Sequence, residues 1–239
     1  MQALILAGGL GTRLRTVVND KPKPMAAVGG KPFIEYQIAW LKKYQVTDLV
    51  LCVGYRHEQI RDYFAAGERW GVSIKYSIED ELLGTAGALK LAQRHVTGPF
   101  GVLNGDSFFD IDLNQLMQFQ RRMKAARGSL GTLSLTDIPD AREYGAVTLS
   151  TQNQILRFEE KSAPAGGSET INAGIYILEP EILNFIPAAQ KVSLERETFP
   201  AVLQQGHALF GYRSSGYFID IGTPSAYQEF QKYIAEKDV

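Results

Sequence analysis

The residues best suited to chemistry lie in a few short runs. One is LAGGLGTRLRTVVNDKPKPM, Leu6 to Met25, directly after a short apolar stretch. Its glycines, Gly8, Gly9 and Gly11, let backbone N–H groups approach an anion closely and tolerate the positive φ that a phosphate-cradling turn demands. Arg13 and Lys23 add a guanidinium fork and an ammonium point charge that can neutralise a polyphosphate. The run is not a Walker A loop, because no Gly-Lys-Ser/Thr follows the glycines. It also misses the dinucleotide fingerprint, since Leu14 stands where a third glycine is needed, which argues against a nicotinamide-dependent oxidoreductase.

Carboxylates complete the chemistry. Asp106 in LNGDSFFD follows a buried apolar run, at the carboxyl end where open α/β sheets bind ligands. There it can hold Mg²⁺, a hard ion that takes one or two protein carboxylates and leaves the rest of its shell to water and phosphate. Asp110 and Asp112 nearby read better as turn and helix-capping acids. Asp220 in GYFIDIGTP lies between Ile219 and Ile221, and an acid in an apolar strand is costly unless paired or metal-bound. ELLGTAGAL sets Gly84, Thr85 and Gly87 at a strand-to-helix junction, a place where exposed N–H groups meet a ligand. Glu159, Lys161 and Asn172 interrupt β-like runs, and each reads equally as a solvated strand face; Tyr144-Gly145 is a similarly weak signal. His57, His95 and His207 show no metal or triad spacing and no Gly-x-Ser-x-Gly elbow occurs, so nucleophilic catalysis by the protein is unsupported.

These residues need a scaffold, and the pattern supplies one. Apolar strands at Ala3–Ala7, Asp48–Val53, Val72–Tyr76 and Phe100–Leu103 alternate with helical spacing after Pro32 and over Glu58–Phe64, Thr85–His95 and Leu113–Ala126. Such alternation builds a mixed, mostly parallel sheet flanked by helices, an α/β fold. From about Ser129 the rhythm turns to β-like runs at Ser129–Leu135, Ala146–Leu149, Ile155–Phe158 and Ile171–Leu178, joined by turn-rich links that predict antiparallel additions. APAGGS, Ala163–Ser168, reads as a mobile loop, and a strand over Tyr217–Ile221 precedes a helix over Ser225–Ile234. The expectation is one α/β domain over 1–239, passing at about 128–129 from alternating strands and helices to a β-rich and C-terminal part.

Composition narrows the function classes. The 239 residues carry 25 Lys+Arg against 26 Asp+Glu, a net charge of −1, so no basic excess points to nucleic acid. No apolar stretch approaches the roughly 20 residues of a membrane helix. The single cysteine, Cys52, lies in an apolar strand and reads as an inert core residue, and the opening MQALILAGG lacks a basic leader, which together predict a cytoplasmic protein. Phe230 and Tyr233 on the last helix either face a second copy, as in a homodimer, or cover the sheet.

Taken in order, AGGLGTRL, KPKPM, LGTAGA, LNGD, EEK, NAG and FIDIGTP resemble the sugar-1-phosphate nucleotidyltransferases, over nearly the whole chain from Leu6 to Pro224. The resemblance implies a nucleotide-diphospho-sugar transferase fold, with a Rossmann-like nucleotide-binding core and a β-rich sugar-binding part, dependence on Mg²⁺, and displacement of pyrophosphate from a nucleoside triphosphate by a sugar 1-phosphate. Leu6, Ala7, Gly8, Gly9, Gly11, Thr12 and Arg13 would hold the triphosphate together with Gly84, Thr85 and Asp106, and Lys23 would stabilise charge at the α-phosphate. Asp106 and Asp220 would be the metal ligands. Gly105, Tyr144, Gly145, Glu159, Lys161 and Asn172 would bind the sugar phosphate, the lysine on its phosphate. Relatives that transfer thymidylyl or uridylyl groups commonly carry Gln five positions before the glycine matching Gly84; here the position is Glu79, an acceptor for guanine N1–H and the 2-amino group, which favours GTP unless Glu79 merely caps a turn. Within the family the short chain looks most like bacterial guanylyltransferases acting on D-glycero-α-D-manno-heptose 1-phosphate, for cell-envelope glycan. Mannose-1-phosphate guanylyltransferases, uridylyltransferases and a non-catalytic binding subunit are the alternatives, the last opposed by the joint presence of Arg13, Lys23, Asp106 and Asp220.

Overall fold

A computed structural model of the protein describes residues 1–11, 14, 21–139, 144–158 and 169–237. The chain runs from β1 (Gln2–Ala7) through a 3₁₀ turn (Lys23–Met25), β2 (Ala27–Val28) and β3 (Lys31–Pro32) into α1 (Phe33–Lys43). Next come β4 (Asp48–Val53), α2 (His57–Phe64), β5 (Ser73–Ile78), α3 (Gly84–Leu91) and β6 (Phe100–Asn104). β7 (Ser107–Phe109), α4 (Leu113–Arg127), β8 (Gly131–Ile138), β9 (Val147–Leu149), β10 (Ile155–Phe158) and β11 (Glu169–Leu178) follow. A π-helical turn (Leu194–Thr198) leads into α5 (Phe199–Gln204), and β12 (Leu209–Arg213), β13 (Phe218–Asp220) and α6 (Pro224–Glu236) complete the order.

A seven-stranded sheet has the order β12-β8-β11-β6-β1-β4-β5. β1 runs parallel to both β4 and β6, with Leu4 opposite Val50 and Val102, and β11 alone runs antiparallel to its neighbours β6 and β8. The central strands are apolar on both faces, so each needs cover from both sides. Alternate residues of β1 accordingly enter different cores: Ala3, Ile5 and Ala7 join α1 residues Ile34 and Ile38, whereas Leu4 joins Ala86 and Leu89 of α3.

Local chemistry sets the helix ends that matter to the site. Asp112 caps α4 by accepting from the N–H groups of Asn114 and Gln115, and Gly128 closes that helix at φ 66°. Asp110 accepts from the Tyr233 hydroxyl at 3.2 Å. Both acids are thus structural. Thr223 caps α6, with Pro224 at its first position.

The sequence-based elements recur with small shifts, and three differ more. The helix expected over Thr85–His95 tightens after Leu91 into a 3₁₀ turn over Ala92–His95. The strand around Asp220 leaves the large sheet and pairs antiparallel with β7, Asp220 opposite Ser107. β12 is an additional strand, parallel to β8, whose central Gly211 leaves room for the Leu135 and Leu149 side chains. Phe230 is fully buried against Phe33 and Tyr36 of α1 and Phe108 of β7, with ring centroids 5.0, 5.7 and 5.4 Å away, so it covers the small β7–β13 sheet. Tyr233 stacks on Tyr217 at 3.8 Å. Among the described residues no helix is long and apolar enough to cross a membrane.

Candidate active site

The carboxyl ends of β1, β4, β5 and β6 and the start of antiparallel β11 meet at one edge of the sheet. Two cavities open there, of about 210 and 310 Å³, both lined by Leu6, Gly9 and Asp106. Around them glycine is used for close approach as well as for conformation. A Cβ on Gly8 would collide with the Glu79 carboxylate, and Gly11, at φ 58°, would bring one to 2.9 Å from Lys23 Cβ. Gly9 faces open space.

Asp106 sits in the turn between β6 and β7. That turn lies so close to β1 that a Cβ on Gly105 would stand 2.5 Å from the Leu6 carbonyl oxygen, while the Gly105 N–H donates to that oxygen at 2.9 Å. The Ile221 N–H donates to the Asp106 carbonyl at 2.9 Å, so β13 brings Asp220 alongside. Lys23 Nζ then donates to Asp106 Oδ2 at 2.7 Å and to Asp220 Oδ1 at 3.1 Å. Asp220 Oδ1 also accepts the Gly222 N–H at 2.7 Å. Burial pushes the Asp220 carboxyl up from its ordinary range, the Asp106 charge adds to this, and Lys23 opposes it. Two carboxylates that reach one ammonium nitrogen lie within reach of a single cation, and their hard oxygens fit Mg²⁺. Among the described residues no group of three or more acids, histidines and cysteines forms a metal cluster, so the rest of such a shell falls to water and phosphate.

A second constellation reaches the larger cavity through Thr85, which lines it. Glu195, on the π-helical turn, accepts from the Tyr176 hydroxyl at 3.0 Å through Oε1, and from Thr85 at 3.0 Å and Ser193 at 2.9 Å through Oε2. Asn172 Nδ2 donates to the Tyr176 hydroxyl at 2.8 Å, and Asn172 Oδ1 accepts the Gly174 N–H at 3.0 Å across a β-bulge where Gly174 has φ 76°. Burial and the Glu195 charge push the Tyr176 phenol well above its usual value, so it stays a donor.

Glu79, 8% exposed, lies just past β5. Its Oε2 accepts the Leu83 N–H at 2.8 Å, capping the turn, while Oε1 is turned toward Gly8. Burial pushes its carboxyl up, and the Leu83 N–H opposes this.

The start of α3 departs from the expectation of free N–H groups. Ala86 N and Gly87 N both donate to the Val192 carbonyl, at 3.0 and 3.4 Å. A Cβ on Gly84 would stand 2.6 Å from that carbonyl oxygen, and one on Gly87 would stand 2.5 Å from the Gln190 carbonyl oxygen. These glycines admit the 190–192 segment, and Thr85 gives its hydroxyl to Glu195; Gly84 and Thr85 nevertheless line the 310 Å³ cavity.

The chain matches the model of the nucleotidyl transferase family over residues 2–237. It belongs to that family. Among its relatives, the D-glycero-alpha-D-manno-heptose 1-phosphate guanylyltransferase of Campylobacter jejuni is 41% identical over 96% of this chain and 98% of its own. The protein of the same name from Aneurinibacillus thermoaerophilus is 39% identical over 97% of each chain. Among solved structures, HddC from Yersinia pseudotuberculosis, complexed with GMP-PN, superposes with a TM-score of 0.81 at 29% identity, covering 98% of this chain and 99% of that one.

Of the residues singled out from the family resemblance, the structure brings Leu6, Ala7, Gly8, Gly9, Gly11, Lys23, Glu79, Gly84, Thr85, Gly105 and Asp106 to the two cavities, with Asp220 on Lys23. Asn172 lines neither cavity and donates to the Tyr176 hydroxyl. Tyr144 sets its ring edge against Phe218 at 5.6 Å, and Gly145 is exposed beside Ala146, which bridges Ile171. Thr12, Arg13, Glu159 and Lys161, and the loop Ala163–Ser168, lie outside the described residues. Glu195, Tyr176, Asn104 and Gln37 are missed by the sequence reading. Only Gln37 carries a sequence signal, as a polar residue four positions from both Phe33 and Leu41 in an apolar helical stripe. Cys52 is fully buried, and burial pushes its thiol up.

Proposed function

We propose that this protein transfers a guanylyl group from GTP to D-glycero-α-D-manno-heptose 1-phosphate, forming GDP-heptose and releasing pyrophosphate. The observation that carries the reading is Lys23 held between Asp106 and Asp220 at the rim of a glycine-lined cleft. The sugar phosphate is already a nucleophile, so the protein's work is to align its oxygen with the α-phosphorus and neutralise the charge that develops. No histidine or serine base is required.

In this reading the backbone of Gly8, Gly9 and Gly11, with Thr12 and Arg13, holds the triphosphate, and Lys23 turns from its carboxylates toward the α-phosphate. Asp106 and Asp220 would hold Mg²⁺, whose chemistry there is to neutralise phosphate charge. Lys161 takes the sugar phosphate, Glu159 and Asn172 take sugar hydroxyls, and Gly105, Tyr144 and Gly145 line the sugar. Glu79 Oε1 accepts from guanine while Oε2 keeps its bond to Leu83, so the cap and the base reading coexist. Within one nucleotidyltransferase domain, about 1–128 is the nucleotide-binding part and about 129–239 the sugar-binding and C-terminal part, with Gly105 and Asp220 acting across that division. The product feeds a glycosyltransferase that consumes GDP-heptose, in the cytoplasm, for cell-envelope glycan. The heptose and guanylyl assignments draw on the named relatives.

Pyrophosphate release with Mg²⁺, crossing GTP, UTP, dTTP, CTP and ATP with heptose, mannose, glucose and N-acetylglucosamine 1-phosphates, tests the reading. Release with GTP and heptose 1-phosphate is expected. Release only with mannose 1-phosphate would move the sugar assignment, and preference for UTP over GTP would overturn the role of Glu79.

A further inference from the structure

Gln37 lies on α1, is 1% exposed and lines neither cavity. Its Nε2 donates to the Asn104 carbonyl at 2.8 Å and to the Ser107 carbonyl at 2.7 Å. Those carbonyls flank the two residues Gly105 and Asp106, so one amide spans the turn that carries the carboxylate. Both of its hydrogens are engaged, whereas Gln37 Oε1 is buried with no partner. An orphaned buried acceptor costs stability, which makes the two donors the reason for an amide at this place. Two other ties on the turn, Gly105 N–H to Leu6 and Ile221 N–H to the Asp106 carbonyl, are backbone bonds that no side-chain change removes, while the Asp106 carboxylate itself accepts from Lys23 at 2.7 Å and from the Ser107 hydroxyl at 3.4 Å.

We propose that Gln37 is a positioning residue that fixes the reach of Asp106 toward the divalent cation. The inference rests on the reading of Asp106 as a cation ligand. Glutamate at 37 offers no amide hydrogens to the two carbonyls, methionine offers none at similar volume, and asparagine keeps the amide but is one methylene shorter. Loss of a group that orients a metal ligand typically weakens the metal by about 10- to 100-fold. Cation affinity should therefore fall in the order wild type, Q37N, Q37M and Q37E, while KM for the sugar phosphate stays near its wild-type value. Excess Mg²⁺ should recover much of the lost turnover.

The test is Mn²⁺ binding to the full chain with GDP present, followed by the electron paramagnetic resonance of free Mn²⁺, on variants first shown to be folded by thermal melting. D106N serves as the reference for a lost ligand. A roughly tenfold or greater weakening in Q37M or Q37E, with Q37N between them and wild type, is expected. Wild-type Mn²⁺ affinity in folded Q37M and Q37E, alongside loss in D106N, would overturn the inference and leave Asp106 as ligand. Equal Mn²⁺ binding by wild type and D106N would remove Asp106 from the cation site and the inference with it.

Discussion

Two carboxylate clusters, one lining the cleft and one reaching it through Thr85, are built on opposite plans. At one, Asp106 and Asp220 share a single ammonium, Lys23, so one anionic charge is left over, and burial with mutual repulsion pushes Asp220 up. At the other, Glu195 is surrounded by neutral donors, the hydroxyls of Thr85, Tyr176 and Ser193, each within 3.0 Å. The first arrangement is under-neutralised and partly open to water, with the Asp106 side chain 37% exposed, so it can exchange partners when a cation and phosphates arrive. The second has its acceptors already occupied and holds its partners in place. A carboxylate thus handles charge or fixes geometry according to what surrounds it.

The contrast is broken most severely at the charged end. Asp106→Asn should lower turnover by about 10³-fold and Lys23→Ala by about 10²- to 10³-fold, in steady-state pyrophosphate assays. Asp220→Asn should lower turnover by about 10²-fold yet leave the melting temperature unchanged or raised, because its surroundings disfavour the anion and an amide keeps an acceptor for Gly222. A clear drop in its melting temperature would show that the Lys23 ion pair outweighs burial. Glu79→Gln should cut the preference for GTP over UTP by about tenfold, read as a ratio of kcat/KM values, since bonds to a charged group contribute about 1.5–3 kcal/mol.

The hydrogen-bonded end should answer more gently. Glu195→Gln puts an amide donor where hydroxyls point, and a loss of about 1–2 kcal/mol in urea unfolding is expected, with KM for the sugar phosphate rising more than kcat falls. A collapse of kcat with KM intact would place Glu195 with the charged cluster and erase the distinction.

The same division explains what was legible beforehand. β1, β4 and β6 are apolar on both faces, so their runs stand out, and Lys23 between prolines, Asp106 after a glycine and Asp220 between isoleucines are conspicuous as charges. Glu195 has no such contrast: it is one of three charges in the run SLERETF, and its partner Thr85 lies 110 residues away. β7 spans only three residues, too short for a period-2 signal to separate it from loop, so the strand expected over Tyr217–Ile221 was legible but its partner was not. Gly84 and Gly87 show how a correct motif misleads about cause, because what they make room for is the chain at 190–192. Gln37 is a polar break in an apolar stripe that went unread, and its task depends on two carbonyls 67 and 70 residues further on.

The most direct test is ³¹P nuclear magnetic resonance of wild-type protein with GTP, heptose 1-phosphate and Mg²⁺. The account predicts that pyrophosphate and a GDP-sugar diphosphate appear together in equal amounts, and that chelating the metal stops both. Binding of the two substrates with no such signals would contradict it and make this chain a binding protein.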